Sequence, residues 1–290
     1  MSSAEEQFII GPLGFMEAHT ERLGDQATRI YAQLYKELPE LEYFRNESNR
    51  KLLDVKKNDT PENIYSEKLT SLTYSTFIAC WQALYALERL DMLAIWIDTP
   101  TGGESLISHY VEHYFSDYLA RVKLTTDIVA LLLNYYFGLG LREEQCSLHK
   151  GLIAKRIIDS YEQHKDAKDS YKQINKMYRA LESARTTWVT DIYTMRNMVN
   201  HRLEFRVAMR IKYNDPKLPS HPLPIWSVRE PQFIKLARKL SPRSIVLDDF
   251  VDCTMFCEDI WQNLSKLVNS VSIGCRNEIP QFLLREYNIG

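Results

Sequence analysis

The stretch DIVALLLNYYFGLGL, Asp127 to Leu141, decides the fold class. It is the most apolar run in the chain, yet it carries Asp127 and Asn134 and stops at two glycines. That is too short to cross a bilayer comfortably, and it reads as a buried core helix closed by the Gly-Leu-Gly-Leu end. A chain whose most apolar segment is an interior helix, and whose other segments also repeat at helical spacing, is expected to be all-α.

Outward from that run the same period recurs. Helices are predicted from Glu104 to about Arg121, from Thr125 to about Phe137, and from near Ser147 past Tyr161. Towards the N-terminus, Leu13, Met16, Leu23, Ala27, Ile30, Leu34 and Leu38 share one face of a helix that Pro39 closes. A short charged helix or loop follows, and KKNDTPEN (56–63) is a break. There Thr60-Pro61 pairs an N-cap residue with proline at the first helical position, opening a long aromatic-rich helix towards Ile97. DTPTGGES (98–105) holds the only Gly-Gly. It lacks the lysine of a phosphate loop and reads as a helix-to-helix turn.

From Lys165 to Leu203, Tyr171, Ile174, Met177, Tyr178, Leu181, Trp188, Ile192, Met195, Val199 and Leu203 keep helical spacing. One long helix, or two joined near Ser183, accounts for them. The period then changes. In EFRVAMRIKYND (204–215), Phe205, Val207, Met209, Ile211 and Tyr213 alternate with Arg206, Ala208, Arg210 and Lys212, the pattern of a half-buried strand with a basic outer face, with a continuing helix as the alternative. DPKLPSHPLP (215–224), with four prolines, is an irregular loop. IWSV (225–228) is read as a partner strand, and helices resume at Pro231–Leu240 and from about Ser244 to Val271. The expected organisation is one all-α domain over 1–290: an N-terminal helical extension (1–100), a helical core (104–272) and a loop or β insertion (205–230).

Composition narrows the function classes. The formal net charge of −2 excludes a chain that coats nucleic acid through an overall basic surface. Charge is uneven, however: residues 150–212 hold fourteen Lys and Arg against seven Asp and Glu, leaving the remainder acidic. That is the local footprint expected beside a polyanion, and a solvated helix laced with ion pairs gives a similar count. The N-terminal MSSAEEQFIIGPLGF lacks the features of a secretory signal, and five scattered cysteines do not form a disulfide framework. A cytoplasmic protein with no membrane partner is expected. Cys253 and Cys257 would share a helix face but lack further zinc ligands, and they read as small buried apolar residues.

Among the seven histidines, His109 and His113 flank Glu112, but HYVEH is not the order that gives zinc its water-activating glutamate; they read as a partly exposed pair. His149, His164 and His221 show no partner at suggestive spacing. No metal site and no cofactor are expected. The remaining candidate is TMRNMVNHRLEF (194–205), which places Arg196 and His201 near the end of a long helix inside the basic segment. Arg142 and His149 also pair an arginine with a histidine, but on a segment read as a loop.

Arg196, the polar Asn197 directly after it, and His201 after four intervening residues resemble the motif of the HEPN superfamily (higher eukaryotes and prokaryotes nucleotide-binding). The resemblance is closest to a bacterial branch with an extra N-terminal helical region. The specific match spans 196–201, with a looser similarity of helix order from about Arg121 to Val271. It implies a metal-independent endoribonuclease acting in a homodimer, possessing no cofactor, and serving as a toxin or phage-defence effector with an antitoxin or regulatory partner. His201 would be general base on a ribose 2′-hydroxyl, and Arg196 would stabilise the charge that develops on phosphorus. Asn197 would hold substrate or the imidazole, Glu204, by its spacing three residues after His201, would orient the ring, and Arg202, Arg206 and Arg210 would support RNA binding. The alternative is a non-catalytic HEPN-like module that binds RNA, nucleotide or protein, and a plain helical scaffold is a third reading.

One geometric problem remains at this level. Five residues of α-helix turn through about 500°, so Arg196 and His201 point roughly 140° apart. Either a local helix irregularity brings them together, or two subunits share each site.

Overall fold

The computed structural model describes residues 20–54, 61–97, 104–162, 168–201, 207–208, 227–228, 230–246 and 250–276. They are mostly helical, as the apolar run around Leu132 predicts. The α-helices are α1 (Thr20–Glu37), α2 (Pro39–Asp54), α3 (Pro61–Ile97), α4 (Glu104–Tyr136), α5 (Leu152–Glu162), α6 (Lys168–Ala184), α7 (Thr190–His201), α8 (Pro231–Leu240) and α9 (Cys253–Arg276).

Two long helices organise the rest. Tyr65 near the start of α3 donates to the Tyr136 carbonyl at the end of α4, and Arg121 donates to Gln82 midway, so the pair is antiparallel. The second partner of α4 is α9. Tyr118 donates to the Cys257 carbonyl and Tyr136 to the Cys275 carbonyl, both at 2.6 Å. Equal steps along both chains mean that α4 and α9 run parallel. Each tyrosine buries its ring and still satisfies its hydroxyl, which a core position requires.

The N-terminal helices belong to the same core. Ile30, Leu34, Leu38, Leu41 and Phe44 join one contiguous buried cluster with α3, α4 and α9. Each such side chain contributes roughly 1.5–3 kcal/mol on burial. The end of α1 is fastened to α9: Trp261 Nε1 donates to the Glu37 carboxylate, and Asn269 Nδ2 donates to the Glu37 carbonyl at 2.6 Å.

Three expectations change. First, α4 does not break between Arg121 and Thr125. Thr125 and Thr126 are buried, and their hydroxyls donate back to the Arg121 and Lys123 carbonyls, so the helix satisfies them internally. Second, the charged segment after Pro39 is a full helix, α2. Third, no helix starts at Ser244. A 3-10 turn (Pro242–Ser244) leads into two short strands, β3 (Ile245–Val246) and β4 (Phe250–Asp252), and α9 starts at Cys253. The Asp252 carboxylate accepts the Met255 N–H at 3.0 Å, which fixes that start.

The expected pairing after the motif is present. β1 (Val207–Ala208) lies antiparallel to β2 (Ser227–Val228), with Val207 opposite Val228. These join β4 and β3 in a four-stranded antiparallel sheet of order β1-β2-β4-β3. The chain leaving α7 is thereby tied to the chain entering α9. The proline-rich loop, the 98–103 turn and the helix start at Pro12 lie outside the described residues. Cys253 and Cys257 are buried free thiols. No helix among the described residues is long and apolar enough to cross a membrane.

Candidate functional site

The motif helix begins with a defect. In α6 the buried residues Ile174, Met177, Leu181 and Ala184 step regularly to Trp188, but Val189 is buried beside it. Adjacent residues on an α-helix diverge by about 100°, so a regular helix cannot keep both inside. A π-helical turn over Arg185–Val189 absorbs the extra residue, and Thr190 Oγ1 donates to the Arg185 carbonyl at 2.9 Å. The stripe then continues as Ile192, Met195 and Met198. The two segments read as joined near Ser183 are therefore joined by a change of phase.

Downstream of that turn α7 is regular from Thr190 to His201. The irregularity precedes Arg196 and does not lie between it and His201, so their backbone positions keep the roughly 140° divergence within one chain. Arg196 is partly buried and Asn197 is exposed, and Arg196 Nη1 donates to Asn197 Oδ1 at 3.3 Å. His201 is the last residue of α7, and its side chain lies outside the described residues. Arg202, Glu204, Arg206 and Arg210 also fall outside them.

One turn before Arg196 the helix carries Tyr193, which enters a polar cluster that spacing did not reveal. Asp127, at the start of the apolar run in α4, accepts from Lys123 Nζ at 2.9 Å, from Ser147 Oγ at 2.9 Å and from the Tyr193 hydroxyl. Ser147 Oγ also lies 2.7 Å from the Tyr193 hydroxyl and 2.6 Å from His149 Nδ1. The His149 and Tyr193 rings face each other with centroids 4.0 Å apart, and Lys123 Nζ sits 4.6 Å from the Tyr193 ring centre. His149, read from spacing as unpartnered, is thus held by Ser147 of its own loop and by Tyr193 of α7.

The loop that presents His149 is pinned on both sides. Asn134 Nδ2 donates to the Leu141 carbonyl and Asn134 Oδ1 accepts the Leu141 N–H, closing the turn after α4. Leu148 is buried in a 3-10 turn (Leu148–Lys150) that ends at Gly151 with φ +71°. The positive φ favours glycine, and a Cβ there would also press on the Arg185 side chain, with Nε at 3.1 Å.

Counting hydrogens assigns the His149 tautomer. Asp127, Ser147 and Tyr193 make three mutual contacts, and the two hydroxyls supply one hydrogen each. If Ser147 spent its hydrogen on His149, a single hydrogen would serve three oxygen–oxygen contacts. The arrangement satisfied best has His149 donating from Nδ1 to Ser147, which leaves Nε2 outside the cluster. Burial lowers the His149 pKa, Lys150 and Lys123 act in the same direction, and Asp127 opposes them. Burial raises the Tyr193 phenol strongly, its hydrogen bond to Asp127 adds to this, and Arg196 is close enough to pull it down.

A signal for this cluster was present in Asp127. A carboxylate beside an apolar helical run needs donors, and Lys123 one turn earlier supplies only one. What spacing does not say is that Ser147 and Tyr193 complete the set. The class these features define is a mostly helical protein with a polar cluster joining its motif helix to its central helix. No family model, curated protein or solved structure matches the chain.

Proposed function

We propose that the chain is a metal-independent endoribonuclease of HEPN type, working as a homodimer. Each site would draw Arg196 from one chain and His201 from the other. His201 removes the proton of a ribose 2′-hydroxyl, whose oxygen attacks the adjacent phosphorus, and Arg196 stabilises the additional negative charge there. The products are a 2′,3′-cyclic phosphate and a free 5′-hydroxyl end. What supports this reading is the Arg196–Asn197–His201 motif near the end of α7; because that helix is regular, the two positions diverge, and a site using both would have to draw on two chains. The uneven basic charge of residues 150–212 suits a polyanionic substrate. A role as a toxin or phage-defence effector held by an antitoxin follows from the resemblance alone.

The test is cleavage of end-labelled RNA in EDTA. His201→Ala should reduce the rate roughly 100- to 10,000-fold, and Arg196→Ala roughly 100- to 1,000-fold, with helical content unchanged by circular dichroism. Wild-type rates in His201→Ala would remove that residue from the mechanism. Salt-sensitive RNA binding with no products would favour the non-catalytic binding module.

A further inference from the structure

Transphosphorylation moves two protons: one leaves the 2′-hydroxyl, and one must reach the departing 5′ oxygen. In the reading above, His201 accounts for the first. The second needs a group beside Arg196 that can release a proton without disturbing what holds it in place.

Resting on that ribonuclease reading, we propose that His149 is the proton donor to the leaving 5′ oxygen, acting through Nε2 from a loop packed against the part of α7 that carries Tyr193 and Arg196 in the same chain. Tyr193 is the physical link. Its ring packs on His149 at 4.0 Å, and Arg196 follows it by three residues, a neighbouring position on the helix surface. The groups facing the imidazole are Tyr193 from α7, Asp127 and Lys123 from α4, and Ser147 and Lys150 from its own loop, while Arg196 acts on Tyr193. Nδ1 carries its hydrogen towards Ser147 in both the neutral ring and the cation, so gain or loss of the Nε2 proton leaves the cluster intact. Asp127, relayed through the Ser147 hydroxyl, supports the cation.

The step balances. His201 takes the 2′ proton, the P–O2′ bond forms, the P–O5′ bond breaks, and Nε2–H of His149 passes its proton to the 5′ oxygen. His149 regains a proton from water and His201 releases one, with no change in oxidation state. Burial lowers the His149 pKa, making the protonated ring a stronger acid, so the alkaline limb of the rate profile should report its deprotonation.

The discriminating substrate is the same RNA with sulfur replacing the bridging 5′ oxygen at the mapped cleavage site, because a thiolate leaves without being protonated. His149→Asn keeps a donor near the Nδ1 position and removes Nε2. On ordinary RNA it should lose roughly 100-fold or more in rate, with RNA affinity and melting temperature near wild type. On the sulfur substrate it should return to within about tenfold of wild type, whereas His201→Ala stays impaired on both. The wild-type alkaline limb should disappear in His149→Asn and move to higher pH in Lys150→Gln. Equal loss on both substrates, or no loss on either, overturns the assignment of His149 while leaving the ribonuclease standing. If wild-type protein cleaves neither RNA, the ribonuclease reading and this inference fall together.

Discussion

Asp91 shows how a single carboxyl can set a pH dependence. Although the residue as a whole is exposed, crowding strips water from its carboxyl and Glu258, Glu88 and Asp252 repel its charge, raising its pKa to about 6. An unfolded aspartate titrates near 3.9, so the native state binds this proton more tightly. The stability that protonation supplies is complete below about pH 4 and is lost as pH rises through about 6. Asp91→Asn should therefore raise the melting temperature at pH 7 and lose that advantage by pH 4. Differential scanning calorimetry across that range checks it, and an unchanged difference at both ends would contradict the assignment. At this scale the sequence was partly legible. Arg196, Asn197 and His201 stood out by spacing, and Asp127 by its place in an apolar run. His149 did not, because Ser147, its neighbour two residues back, gives no signal by itself, and Asp127 and Tyr193, which complete the cluster, lie 22 and 44 positions from His149.

At Gly274, α9 packs closely against α6. A Cβ on buried Gly274 would lie 2.5 Å from Met177 Sδ and 3.2 Å from Met177 Cβ and Cγ. The sulfur can swing aside, but the Cβ cannot without moving α6. Gly274→Ala should cost about 1–3 kcal/mol by overpacking. Combining it with Met177→Ala should cost less than the two single changes added together, since Met177→Ala vacates space that the added methyl fills. Urea denaturation of the four proteins in that cycle measures the coupling, and strict additivity would show that the two helices do not meet there. Most helix positions were readable because an apolar stripe announces itself. The break expected between Arg121 and Thr125 was not real, since buried threonines can bond back into their own helix. The helix start at Ser244 was misplaced because a few residues of strand leave too short an alternation to recognise.

For the whole molecule, the proposed two-chain site makes complementation the sharpest test. Arg196→Ala and His201→Ala chains, each inactive alone, should recover activity when unfolded together and refolded as a mixture. Random pairing makes half the dimers mixed, each with one intact site of two, so about a quarter of the wild-type rate is expected. Sedimentation should show a dimer under assay conditions. Recovery near zero would place both residues of each site within one chain.

The sequence by itself determined the helical class, the position of most helices and the divergence of Arg196 from His201, because these follow from periods of a few residues along one chain. Tertiary structure alone decided that α1 and α2 share the central core and that a sheet ties the exit of α7 to the entry of α9. It also decided that Asp127, Ser147, His149 and Tyr193 meet. The physical reason is the same throughout. A buried polar group is satisfied by whichever donor the packing of distant helices delivers, and that pairing leaves no local periodicity in the chain.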